Sequence, residues 1–280
     1  MQSIRCNFSL ILLCIFGIFL VVFLWAESEE SVKVVVNHVH DDPNQIVQVD
    51  MNIMKKVLKE RNEVSSLLNN EKKKSGQLEC KIGAVAGSGG WCEQDSGINS
   101  KEHMTDRKLA KQLSTFLKGK RVASFGDGPG LYKKYLDGTD LLDVYDAYDG
   151  APFAENTTEG RVKFLDLSVP QYGIPVYDWV LSLEVAEHIP SKYEKIFMSN
   201  LVRHAKNGII LSWAVPGQGG HFHVNNKNIS SVISSMRELG FERHLENSLL
   251  LQSHCELQWL KDNTNVYVRR DDRPIDVDSA

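Results

Sequence analysis

Cysteine, proline and any surplus of basic residues are scarce in this chain. Its 280 residues include five cysteines and eight prolines, and 32 Lys and Arg against 36 Asp and Glu leave a net charge of −4. Five cysteines are too few for a disulfide scaffold, and two of them, Cys6 and Cys14, lie in the apolar N-terminus. Cys80 and Cys92 can pair in an oxidising compartment and leave Cys255 free; free thiols at all three positions stay open. The acidic balance, with a pI near 6.1, does not suggest a nucleic-acid binder. There is no internal repeat and no metal-type Cys/His spacing. The length allows one or two domains.

What is present begins with one long apolar run. Residues 8–26 are almost wholly apolar and long enough to cross a bilayer as a helix. Arg5 precedes the run and Glu27, Glu29 and Glu30 follow it. The positive-inside rule then leaves residues 1–7 as a cytoplasmic tail and everything after Ala26 lumenal. A cleaved signal peptide is the rival, but the only small residue at its end, Ala26, has Leu24 two positions before it. The reading is an uncleaved signal anchor, single-pass type II, in the Golgi or ER. A lumenal address gives meaning to the sequons at Asn156 and Asn228, while that at Asn7 lies at the membrane edge. Residues 27–79 read as a stem. Ile46, Val49, Ile53, Val57, Val64 and Leu68 recur at helical spacing, but Lys56 and Glu60 break a heptad seam, so a solvated spacer is expected. A domain over 80–270 and a disordered acidic tail over 271–280 complete the plan.

The domain is organised around Arg121 to Asp149, which reads as strand, glycine turn, helix, strand and acidic residue. Gly126, Gly128 and Gly130 follow the first strand at every second position, with Asp127 among them. Pro129 suits the first turn of a helix, and Gly138 is expected to close that helix in a left-handed cap. Glycines permit close backbone approach, and a helix N-terminus presents free N–H groups. An acidic residue about twenty positions further on can hold ribose hydroxyls, as Asp149 would, with Asp146 a second possibility. This is a nucleoside cradle.

Further strands are expected at Arg161 to Leu165, Tyr177 to Leu183 and Ile209 to Ala214, with closing strands near Phe241 and Val266, one of them antiparallel. Helices are expected near Thr105 to Leu117, Ser191 to Lys206 (capped by Gly208) and Ile229 to Leu239. Trp91, in the glycine-rich loop Gly83 to Gly97, reads either as packing over a ligand or as a core plug, with the plug favoured.

The glycine spacing G-x-G-x-G resembles motif I of the class I S-adenosylmethionine (SAM) dependent methyltransferases. The stretch Glu184-Val185-Ala186-Glu187-His188-Ile189-Pro190 is similar to the fourth-strand motif of the same superfamily. The resemblance covers about residues 100 to 270. It implies a Rossmann-like fold with a seven-stranded, mostly parallel sheet and helices on both faces. It also implies SAM as cofactor, with Asp166 and Leu167 at the adenine and Glu184 near the methyl group.

Methyl transfer to a hydroxyl needs a positioned acceptor and a base near neutral pKa. His188, His221 and His223, with Glu187, are the candidates. Of the pair around Phe222, one is expected to face the site and the other to face away. No metal is favoured, although Glu184, Glu187, His188 and His223 resemble the Mg-type site of small-RNA 2′-O-methyltransferases. The membrane-anchored layout resembles glycan-modifying enzymes, and invertebrate Golgi fucose 2-O-methyltransferases in particular. It implies a glycan hydroxyl as acceptor. A lipid-linked or small-molecule acceptor, or a SAM-binding pseudoenzyme, is the alternative.

Overall fold

The computed structural model describes residues 14–15, 18–19, 51–83, 85–92 and 103–270. The chain divides into two units, Met1–Gln48 and Val49–Ala280. In the first, Cys14–Ile15 and Ile18–Phe19 form a short antiparallel pair. The rest of the expected membrane segment 8–26, the start of the stem and the tail 271–280 lie outside the described residues. Among the described residues, no helix is long and apolar enough to cross a membrane.

The second unit is built on a seven-stranded sheet. Its strands are β1 (Arg121–Phe125), β2 (Val144–Asp149), β3 (Val162–Phe164), β4 (Tyr177–Ser182), β5 (Ala205–Leu211), β6 (Phe241–Arg243) and β7 (Asn265–Arg269). The spatial order is β3-β2-β1-β4-β5-β7-β6, with β7 alone running against its neighbours. The central strands are apolar on both faces, as parallel strands covered on both sides must be.

The helices are α1 (Met51–Glu79), α2 (Arg107–Phe116), α3 (Leu131–Asp137), α4 (Ala154–Thr157), α5 (Glu194–His204), α6 (Ile229–Glu238), α7 (Leu245–Ser253) and α8 (Gln258–Asn263). Phe197 and Leu201 of α5 and Val232 and Met236 of α6 join the core on one face of the sheet. Leu109 and Leu113 of α2, Leu136 of α3, Leu251 of α7 and Leu260 of α8 fill the other. Leu109 and Leu113 stand one turn apart and are wholly buried, so truncating either to Ala would cost about 2–5 kcal/mol. Asp106 caps α2 through the Leu109 N–H at 2.9 Å, and its other oxygen takes the N–H groups of Glu256 and Leu257 at 2.5 and 2.8 Å. One buried carboxylate thus joins the start of α2 to the turn before α8.

Three local expectations are corrected. Gly138 ends α3 in a right-handed conformation, φ −69°, not a left-handed one. Gly208 lies inside β5 rather than capping α5, because the Trp179 ring packs where a side chain would stand, 2.3 Å from an added Cβ. The stretch read as a solvated spacer is, over α1, docked onto the sheet unit. Ser65 accepts the Tyr172 N–H at 2.9 Å and donates to the Pro170 carbonyl at 3.2 Å, and Gly76 packs on Pro152. Arg61 lies over the Tyr172 ring at 4.2 Å. Helices α7 and α8 had no expectation, and Leu245, Leu249 and Leu250 of α7 are all exposed.

Candidate active site

A cleft of ≈ 410 Å³ opens at the carboxyl ends of β1, β2 and β4, the edge at which open α/β sheets bind ligands. Gly126 turns the chain out of β1 with φ +97°, and a Cβ there would meet the Val185 side chain at 2.3 Å. Only glycine fits both the dihedral and the space. The segment after β4 therefore presses directly on the glycine turn.

The acidic residues take distinct places. Asp149 lies at the end of β2 and lines the cleft; its oxygens accept the Gly128 and Ala151 N–H groups, each at 2.8 Å. Burial pushes its carboxyl upward, against those two bonds. Asp146 instead accepts from the Tyr177 hydroxyl at 2.8 Å and does not line the cleft. Asp127 also lines the cleft; burial lifts its carboxyl to about 6, against hydrogen bonds from Tyr145 at 2.8 Å and the Lys133 N–H at 3.1 Å. Asp166 and Leu167 line the far wall, where Asp166 accepts the Ser168 N–H at 2.8 Å.

Gly130 is a correction. It is the N-cap of α3 with φ +76°, packed against Val162 where a Cβ would come within 2.8 Å, and it does not line the cleft. Its role is to bring α3 close to β3.

After β4 the chain makes a 3-10 turn, Ala186–His188. Glu184, with φ +54°, lines the cleft and accepts from the Gln218 amide at 2.8 Å. Glu187 is wholly buried behind the lining, and neither carboxyl oxygen has a well-formed hydrogen bond. Burial first, and Glu184 beside it, push its carboxyl well above the usual carboxylate range. His188 lines the cleft, and burial with His223 nearby lowers its imidazole to about 4.

His221 and His223 both line the cleft. The expectation that they face opposite ways was mistaken at its root, since residues two apart in extended chain share a face. Here Phe222 between them has φ +56° and is 43% exposed. The ligand atoms of Glu187, His188 and His223 lie within 4.8 Å of one another, with His223 Nε2 3.8 Å from Glu187 Oε1.

One member of the site, His103, was missed in the sequence, and Trp91 takes the less favoured of its two expected places as well. Trp91 packs against the core that holds Leu109 and Leu113 and also lines the cleft, stacked on His221 at 5.5 Å and 24°, with His188 at 5.8 Å and His103 at 5.1 Å. The loop carrying it is an antiparallel bridge, Val85 to Trp91, tied to α1 by the Cys80–Cys92 disulfide and by the Gly87 N–H to Glu79 at 2.6 Å. Gly90 sits so close to the Gly150 carbonyl that a Cβ would fall 1.9 Å from it. His103, just before α2, reaches the glycine turn, its ring 3.3 Å from a Cβ placed on Gly128.

No family model and no curated protein matches the chain. Among solved structures, it is similar to magnesium protoporphyrin IX methyltransferase from Synechocystis PCC 6803 with bound SAH. Identity is 18%, over 58% of this chain and 80% of that one, with a TM-score of 0.43. A TehB-like SAM-dependent methyltransferase from Corynebacterium glutamicum aligns at 16% identity, over 58% and 88% of the two chains, TM-score 0.43. Haemonchus contortus phosphoethanolamine N-methyltransferase 2, in complex with phosphomonomethylethanolamine and S-adenosylhomocysteine, aligns at 12%, over 61% and 55%, TM-score 0.41. These are likenesses of chain course, and the chemistry rests on the residues of the cleft.

Proposed function

We propose that the chain is a SAM-dependent O-methyltransferase whose acceptor is an uncharged glycan hydroxyl. The observation that carries the reading is one cleft lined both by the glycine turn, Asp149 and Asp166 and by His188, His221 and His223. SAM would lie with its ribose at Asp149, its adenine at Asp166 and its methyl group facing Glu184 and the histidines. The acceptor oxygen bonds to the methyl carbon as the sulfonium C–S bond breaks, S-adenosylhomocysteine leaves, and the hydroxyl proton passes to an imidazole. His223 is the favoured base, because it lines the cleft, whereas burial lowers the His188 imidazole to about 4 and makes it the weaker proton acceptor. Among the described residues no Lys or Arg lines the cleft, while Trp91, His221 and Met104 offer apolar surface. That lining suits a neutral ring such as a sugar better than a phosphate or carboxylate. The apolar run at 8–26 and the sequons at Asn156 and Asn228, both exposed, support a membrane-anchored lumenal setting.

The full chain, incubated with methyl-labelled SAM and fucosylated or fucose-free glycans, should add one methyl to a sugar, read by mass spectrometry. His223→Ala should abolish the transfer and keep SAH binding. If SAH binds and no glycan gains a methyl, the acceptor reading fails; without SAH binding, the cofactor reading fails too.

One observation favours a second reading, with a divalent cation. Glu187, His188 and His223 offer one carboxylate and two imidazoles, with Glu187 Oε1 and Oε2 and Nδ1 of both histidines lacking well-formed hydrogen bonds. This donor set fits Mn²⁺ or Zn²⁺, and a cation there would make the acceptor hydroxyl more acidic. A cation needs the carboxylate form of Glu187, which burial disfavours, so affinity should rise with pH. The expected result is a melting temperature raised by Mn²⁺ more at pH 8 than at pH 6, and lost in Glu187→Gln. A melting temperature indifferent to Mn²⁺ at both pH values removes the cation.

A further inference from the structure

Helix α1 ends at the disulfide, yet it also makes polar contacts ten residues earlier, at the wall of the cleft. The Asn69 side chain accepts the backbone N–H of Asp166 at 2.9 Å and donates to the carbonyl of Phe164, the last residue of β3, at 3.1 Å. Gln171 closes the arrangement, donating to Asn69 at 3.1 Å and to the Asp166 carbonyl at 2.6 Å. Lys72, one turn along α1, places its ammonium 3.9 Å from Asp166 Oδ2. Asp166 is 1% exposed, so its backbone N–H has no water to turn to. The peptide that carries this carboxylate at the cleft wall is therefore held in part from outside the sheet, by a side chain of α1.

We propose that Asn69 is a positioning residue for the cofactor, and that α1 sets how selectively the site recognises the adenine amino group. The inference rests on the reading that Asp166 faces adenine. Other α1 contacts, such as Ser65 with Pro170 and Tyr172, dock the helix without touching Asp166. That difference separates positioning from mere docking.

The test measures binding of S-adenosylhomocysteine and S-inosylhomocysteine to the full chain by calorimetry. The inosyl compound carries a carbonyl oxygen where adenine has its amino group and cannot donate to Asp166 from that position. Wild type should prefer the adenosyl compound. Asn69→Ala should weaken adenosyl binding about tenfold and inosyl binding by less than about threefold, so that the preference shrinks. Ser65→Ala should leave the preference as in wild type. If Asn69→Ala retains the full preference, or if both variants lose affinity for the two compounds in parallel, the positioning role is overturned and α1 is only a brace. A wild type that binds neither compound overturns the cofactor reading itself.

Discussion

Gly126 has neither the dihedral nor the room for a side chain, and the residue that excludes one is Val185 from the motif after β4. Gly126→Ala should cost about 1–3 kcal/mol from the left-handed backbone and the clash together, and should weaken SAH binding more than stability alone explains. Urea unfolding and calorimetry on the same variant check this; a variant that binds SAH as wild type does would remove the turn from the cofactor site. His204 carries a second prediction. It is wholly buried beside Phe125, its Nδ1 bonded to the Asn200 carbonyl at 2.8 Å, and burial lowers its imidazole to about 4. The unfolded chain takes up this proton below about 6.5 and the folded chain does not until about 4. His204 therefore subtracts stability as pH falls through that window, by up to about 1.4 kcal/mol per pH unit. His204→Gln should be less sensitive than wild type between pH 7 and pH 5 in urea titrations. Equal losses in the two proteins would count against it. At this scale the sequence was legible where chemistry and spacing coincide: Gly126, Asp149, Asp166 and Glu184 all line the cleft. Gly130 has the same residue type and spacing, but its surroundings make it a packing glycine, and spacing does not distinguish the two uses.

The loop 85–92 shows why an element can be visible in sequence while its purpose is not. Its glycines and the flanking cysteines stand out, yet nothing local says that Gly90 meets the Gly150 backbone or that Trp91 stacks on His221, since both partners are distant in sequence. The disulfide closes a span of 12 residues, and a loop of that size is stabilised by roughly 2–4 kcal/mol. Cys92→Ser should lower the melting temperature by about 5–10 °C, and reductant should do the same to wild type but not to the variant. Cys255→Ser, at the free half-buried thiol, is the control and should shift it little. A wild type that melts alike with and without reductant would mean the bridge does not hold the loop. Helix α1 follows the same logic. Its polar, helix-forming sequence announced a helix, but the residues that dock it, Ser65, Asn69 and Gly76, are small or polar and do not look like a core face. Ile53, Val57, Val64 and Leu68, which do look like one, are exposed.

For the whole molecule, this docking moves the boundary of the folding unit. The sheet and its layers were legible because β strands alternate with helices in the doubly wound pattern, and the covered strands announce themselves as apolar runs. What the alternation left out was a helix that contributes hydrogen bonds rather than apolar area. A fragment starting near residue 80 keeps every strand of the seven-stranded sheet but removes Asn69 from Asp166, Ser65 from Tyr172 and Lys73 from Glu155. It also uncovers Pro152, against which Gly76 packs. Each buried group left without its partner costs about 1–3 kcal/mol, and several together are comparable to the whole stability of a domain. Residues 49–280 should therefore express as a folded monodisperse protein with one cooperative transition, whereas residues 80–280 should aggregate or melt at least about 10 °C lower. Size-exclusion chromatography and thermal melting of the two fragments decide it. If the shorter one folds as stably as the longer, α1 is an attachment rather than part of the fold; otherwise the unit that carries the cleft begins at α1.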